Sequence, residues 1–207
     1  ETANDKGATG TTGATEYKFP FADVPVSQWY FESVKGAHKM GLINGKKVNI
    51  FAPNDNMMYC EAIKLASCMH QLYTDGKVTL MNGTDVWYST YMNYALANGI
   101  IDSDLSAKAN NKITRKEYAY IFSKALPDEA FKAINNIPTG SIPDMKNEST
   151  KEEKAIYKLY RAGIIAGTDT KGTFKPGSYM MRSEVATILI RMMDETTRVP
   201  APKDLGK

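Results

Sequence analysis

The sequence predicts a mainly α fold, built from three helix–loop–helix units packed around a common axis with the three second helices at the centre. Three observations carry this. The 207-residue chain repeats itself with a period of about 60 residues. Each unit ends its first helical stretch in Gly followed by two aliphatic residues: Gly41, Leu42 and Ile43; Gly99, Ile100 and Ile101; Gly163, Ile164 and Ile165. Each then opens a second helical stretch at a Glu (Glu61, Glu117, Glu184) that leads into an apolar stripe of helical period.

In chain order, residues 1–18 are rich in Gly, Thr and Ala and read as a flexible leader or linker. Repeat one covers 19–76, repeat two 77–135 and repeat three 136–197; residues 198–207 carry two prolines and read as a tail or linker. The first helices are expected at 29–40, 87–98 and 151–162, where the closing Gly supplies the left-handed residue that ends many helices. The second helices are expected at 59–73, 115–126 and 182–194. Their stripes are Ala62, Leu65, Ala66, Met69 and Leu72; Tyr118, Ile121, Phe122 and Ala125; Val185, Ile188, Leu189 and Met192. A lone helix pair cannot bury such a stripe, whereas three copies can. A short helix near 127–135 is expected to bridge units two and three.

Composition narrows the function classes. Hydrophobic residues make up 43%, enough to build a core. The net charge of +3 is too mild a bias to argue for nucleic acid, so no nucleic-acid partner is expected. No apolar run approaches the ~18 residues of a transmembrane helix, and no membrane insertion is expected. No charged-then-apolar signal opens the chain, so export would mean that a signal has been removed. Two His and two Cys do not make the usual zinc site. Cys60 and Cys68 lie eight residues apart on one helix, about 12 Å by helical rise, too far for the ~4.4–6.8 Å of a disulfide. They read as small core residues and leave the redox compartment open. His38 and His70 read as single surface histidines and the methionines as bundle filling. Nucleophile-elbow, zinc-protease, Walker and dinucleotide motifs are missing. Asp102, Asp104 and Ser106 faintly suggest a calcium loop, but Ala107 and Ile113 replace its Gly and bidentate Glu. Neither catalytic residues, metal nor cofactors are expected.

The informative segments are the starts of the second helices. Thr114 and Glu117 fit a capping box; Met58 and Met181 stand at the corresponding N-cap positions of the other units. Arg115 and Arg182 occupy the first helical position, where a cation is mildly unfavourable by ~0.3–1 kcal/mol. Either each Arg is solvated or paired with a carboxylate, or it serves an anion site beside free helix N–H groups.

These segments resemble the S-layer homology domain family. The stretches FADVPVSQWY, MGLINGKKVNIFAPNDNM and ITRKE are similar to its opening, central loop and Thr-Arg-Ala-Glu signature. The resemblance implies a pseudo-threefold module of three repeats, with one helix from each in a central three-helix bundle. It implies a non-catalytic, monomeric cell-surface anchor whose inter-repeat grooves bind an acidic secondary cell-wall polysaccharide, in many members one carrying pyruvate ketals. Contacts with other surface-layer proteins, or a role as the anchor of a longer surface enzyme, are the alternatives.

The candidate glycan-binding residues are Arg182, Arg115, Tyr59, Trp29, Trp87, Asp23, Asp85, Asp144, Gly45 and Gly167. The tryptophans serve either as buried anchors or as groove walls that stack on sugar. The aspartates serve either sugar hydroxyls or turns. The glycines serve loop geometry and allow close approach of a ligand. Each repeat departs from the family pattern. Tyr59 replaces Arg in repeat one, Asp102 and Ser103 replace Asn44 and Gly45 in repeat two, and Lys151 replaces Trp in repeat three. Pairing each Arg with the loop of its own repeat ranks Arg182, beside Gly167, first; Arg115 second; and Tyr59 last.

Overall fold

The computed structural model describes residues 17–207. Six α-helices are present among them: α1 Phe31–Lys39, α2 Tyr59–Asp75, α3 Ser89–Ala97, α4 Arg115–Ser123, α5 Lys151–Arg161 and α6 Arg182–Met193. The expected leader lies almost wholly outside the described residues. The bridging helix is a single 3-10 turn, Asp128–Phe131.

Local chemistry sets the helix ends. Gly41, Gly99 and Gly163 follow α1, α3 and α5 at φ of 72°, 67° and 71°, a conformation that costs a residue with a Cβ roughly 1–2 kcal/mol. Glu61, Glu117 and Glu184 each reach back to the N–H of the residue before the helix, Met58 (2.9 Å), Thr114 (3.1 Å) and Met181 (2.9 Å). A capping box not anticipated from the sequence opens α5: Glu153 N–H donates to Thr150 Oγ1 (3.2 Å) and Thr150 N–H to Glu153 Oε2 (2.9 Å).

The packing partners come from neighbouring repeats. The second helix of each unit packs on the first helix of the next: α2 on α3, α4 on α5, and α6 back on α1. The segments of chain leading into α2, α4 and α6 are joined in a cycle, each donating to the preceding repeat. Met57 N–H donates to Met180 O (2.8 Å), Met180 N–H to Ile113 O (3.2 Å) and Ile113 N–H to Met57 O (3.0 Å), which closes a three-membered ring. A second ring uses the first helical residues: Tyr59 N–H to Asn111 O, Arg115 N–H to Ser178 O and Arg182 N–H to Asp55 O, at 2.8–3.1 Å. A third uses the next residues, Cys60 to Ala109, Lys116 to Pro176 and Ser183 to Pro53. Around these rings lies one core in which Val34, Ala37, Ile63, Met69, Phe122, Ile156, Leu189 and Val185 are at most 1% exposed.

Cys60 and Cys68 are free and buried. The histidines are half-buried rather than on the surface. Both are partnered: His38 Nδ1 with the Tyr17 hydroxyl at 2.9 Å and His70 Nδ1 with that of Tyr94 at 2.8 Å. The residues expected as a tail fold back on repeat three: Val199 N–H donates to Gly163 O (2.9 Å), Ala201 N–H to Asn135 Oδ1 (2.9 Å), and Leu205 packs on the core.

Candidate functional site

The hydrogen-bond rings change what a helix N-terminus can offer. The first two N–H groups of α2, α4 and α6 donate to loop carbonyls of the next repeat. Those helix N–H groups expected at an anion site are therefore already used.

The Arg at each helix start goes with its N–H into the neighbouring repeat. Arg182, from repeat three, reaches the loop of repeat one: Nε donates to Phe51 O (2.9 Å), Nη2 to Asn44 O (2.8 Å), and Nη1 lies 3.6 Å from Glu61 Oε1. Its guanidinium sits over the Phe51 ring at 4.7 Å. Arg115, from repeat two, reaches the loop of repeat three: Nε donates to Phe174 O (2.7 Å) and Nη1 to Glu184 Oε1 (2.5 Å). Arg182 is 8% exposed and Arg115 5%. Burial, only partly offset by Glu61, pulls the Arg182 guanidinium below its ordinary pKa. The pairing of Arg182 with Gly167 inferred from the sequence is thus corrected: Arg182 goes with Gly45 and Arg115 with Gly167.

Two grooves result, each assembled from all three repeats. The first is a cavity of about 350 Å³. Asn44, Gly45 and Lys46 form its loop wall, Glu61 and Lys64 come from α2, Trp87 from repeat two and Arg182 from repeat three. Lys64 Nζ lies 5.7 Å from the Trp87 ring centroid, and Trp87 is 37% exposed. Three cations, Lys46, Lys64 and Arg182, face one lining carboxylate, Glu61, and Lys46 also pairs with Asp55 at 3.2 Å outside the lining. The third groove is smaller, about 160 Å³, and repeats the plan with Ile165, Ala166 and Gly167, Glu184 and Arg191 from α6, Trp29 and Arg115. Trp29 is 65% exposed. Both tryptophans are therefore groove walls and not buried anchors.

Asp23 and Asp144 each clamp a loop. Asp23 takes the N–H groups of Phe51 (2.8 Å) and Ala52 (2.7 Å); Asp144 takes those of Phe174 (2.8 Å) and Lys175 (2.7 Å). Ala52 and Lys175 adopt φ of 58° and 59°, unusual for residues other than Gly, and the carboxylate clamp holds them there. The carbonyls of Phe51 and Phe174, one residue before each strained position, are the ones that receive the arginines. Asp85 is exposed and makes no such clamp. Gly45 is forced by crowding, since a Cβ there would lie 2.5 Å from the Lys47 carbonyl oxygen. Gly167 is forced by its φ of +83° and by Gly172 against it.

At the middle groove, the counterpart between repeats two and three, side chains bridge the two repeats. Its loop holds Asp102, which accepts from Lys151 (2.6 Å), Lys124 (2.5 Å) and Tyr120 (2.7 Å). These three donors, Lys124 foremost, hold the Asp102 carboxyl well below the usual range. Tyr59 stands in the Arg position, 5% exposed; burial first, then the adjacent Glu117 carboxylate, push its phenol well above its ordinary value. Two of the departures from the family pattern, Asp102 and Lys151, come from different repeats and pair with each other, while Tyr59 lies beside Glu117 of repeat two. Counting one departure per repeat concealed that pairing. Lys46 and Lys64 were missed because loop and helix lysines carry no signal before the cavity is known.

The S-layer homology domain profile matches residues 20–62 and 141–186, which lie in the first and third repeats. It is 25% identical over 183 residues to a surface-layer 125 kDa protein of Lysinibacillus sphaericus, covering 82% of this chain and 15% of that protein. It is 23% identical over 184 residues to an endoglucanase of Bacillus sp. strain KSM-635, covering 84% and 19%. It is 22% identical over 193 residues to the exoglucanase XynX of Acetivibrio thermocellus, covering 91% and 17%. The chain thus spans less than a fifth of the length of these relatives. The S-layer homology domain is a non-catalytic module that anchors proteins to the cell wall, which points to the cell surface.

Proposed function

We propose that this chain is a non-catalytic anchor that binds an acidic secondary cell-wall polysaccharide through its first and third grooves. It would thereby hold a longer surface protein on a bacterial cell. We further propose that its three repeats surround one pseudo-threefold axis; the cyclic hydrogen-bond rings and the cyclic helix pairing support this.

The observation that carries the reading is the first groove. A buried Arg182 with two lysines and an exposed Trp87 joins charge for an acidic substituent with a platform for a sugar ring. An Arg fork suits a carboxylate, and an indole face suits the apolar side of a pyranose. Calorimetry against isolated wall polysaccharide, native and stripped of its acidic groups, tests it. Affinity should fall steeply on stripping, and equal affinity for both polymers would refute the charge-based reading.

The likeness to an endoglucanase and an exoglucanase over only part of their length supports a second reading, in which the longer protein is an enzyme. Joining the gene region that surrounds this chain to a hydrolase assay would separate that from a purely structural surface protein.

A further inference from the structure

A second charged surface lies outside both open grooves. It is a cleft of about 530 Å³ between the end of α4 and the face of α5, lined by Lys124, Lys151, Lys154 and Lys158 together with Ser123, Leu126, Pro127 and Asp128. Lys151, Lys154 and Lys158 follow one face of α5 at i, i+3 and i+7, so their stems are spread over about 10 Å along the helix. Two carboxylates pair directly with these four ammoniums, while Glu148 and Glu152 lie near Lys154 and Lys151. Asp102 is shared by Lys124 and Lys151, and Asp128 pairs with Lys158 at 2.5 Å. Asp128 is 90% exposed on its side chain, so an anion arriving from solvent can displace it. Lys154 has no ion-pair partner among the described residues.

We propose that this cleft binds a linear phosphodiester polymer lacking bases, at a site separate from the two Arg-containing grooves. The choice of ligand follows from the donors. The open grooves present arginines, which suit planar carboxylates; the cleft lining contains no arginine, and a row of lysines serves phosphates as point charges. A row of cations spread along a helix matches a chain with regularly spaced anions better than a single ion. Bases would need aromatic faces to stack on. The nearest rings are occupied: Lys151 Nζ lies 4.6 Å over Tyr120 and Lys158 Nζ 4.0 Å over Phe131. The replacement of Trp by Lys at position 151 then has a consequence beyond the middle groove, since it supplies one end of the row.

The probe is poly(glycerol phosphate), with an oligodeoxythymidylate of equal phosphate number as the comparison, titrated at several salt concentrations. The wild-type chain should bind poly(glycerol phosphate) more tightly than the oligonucleotide. Lys154→Glu with Lys158→Glu should weaken binding by at least about tenfold, and the slope of log affinity against log salt should flatten by about 1.4 as two phosphate contacts are lost. Lys154→Ala alone, at an exposed position that leaves the fold intact, should lower affinity by a few-fold. Arg182→Ala and Arg115→Ala should leave this binding unchanged, which separates the cleft from the grooves. No binding, a salt slope unaffected by the lysine substitutions, or equal or tighter binding of the oligonucleotide would each overturn the proposal. None of these results bears on the carboxylate-dependent binding proposed for the grooves.

Discussion

Arg182 Nη2 donates to the carbonyl of Asn44 at 2.8 Å, a contact that joins residues 138 positions apart. It ties the start of the last helix to the loop after the first. The same side chain lines the first groove, so it acts at once as a fastening between repeats and as a proposed ligand contact. Arg182→Ala should therefore lose stability as well as affinity. It strands the Phe51 and Asn44 carbonyls and leaves Glu61 without its buried cation; such losses cost about 1–3 kcal/mol. Urea denaturation should show a lower midpoint with an unchanged m-value. The affinity loss must then be measured below the unfolding transition, and a variant as stable as wild type would contradict the fastening role.

Asp23→Ala should act on the first groove without touching a ligand. The carboxylate holds the N–H groups of Phe51 and Ala52 and keeps Ala52 at φ 58°. Without it two donors go unpaired and the strained residue can relax, at a cost of about 1–3 kcal/mol. Glycan affinity should fall because the Phe51 carbonyl no longer fixes Arg182. Ala52→Gly in the Asp23→Ala background should recover part of the stability, since Gly accepts the left-handed conformation. Thermal unfolding of the single and double variants checks this.

The helices, their closing glycines and the three Glu caps were legible in the sequence, because each is fixed by contacts within one repeat. The exchange of partners between repeats was not. Arg182 was assigned to Gly167, its neighbour along the chain, whereas backbone bonds from Tyr59 to Asn111, Arg115 to Ser178 and Arg182 to Asp55 carry every helix start into the next repeat. Nothing local to residues 182–193 encodes that exchange. For the same reason Asp102 and Lys151, which pair across repeats, looked like separate defects. The clamp by Asp23 across to Phe51 and Ala52 was equally hidden, as an Asp in a turn carries no mark of where its carboxylate goes.

The middle groove gives a pH prediction. Asp102 is held charged by Lys124, Lys151 and Tyr120, so its folded pKa lies below its unfolded value of about 3.9. The stability it contributes is present in full above that unfolded value and is lost as pH falls towards the depressed folded one. Asp102→Asn should thus be less stable than wild type at neutral pH, and the difference should shrink below about pH 4. The partly exposed network makes the neutral-pH effect small and salt-sensitive. Denaturation midpoints of both proteins from pH 7 to pH 2 measure it; a difference that grows towards acid would contradict the assignment.

The central claim is that two grooves, and not three, hold the acidic glycan, with the first groove dominant. Isothermal titration of one defined acidic wall-polysaccharide fragment against the wild type, Arg182→Ala, Arg115→Ala and Lys151→Ala tests it most directly. The account predicts two sites per chain in the wild type and an unchanged isotherm for Lys151→Ala. It predicts one site lost in each arginine variant, with the tighter site lost in Arg182→Ala by roughly a hundredfold, the worth of a charge-assisted contact of ~3 kcal/mol. Three equivalent sites, or binding abolished by Lys151→Ala while Arg182→Ala is silent, would contradict it.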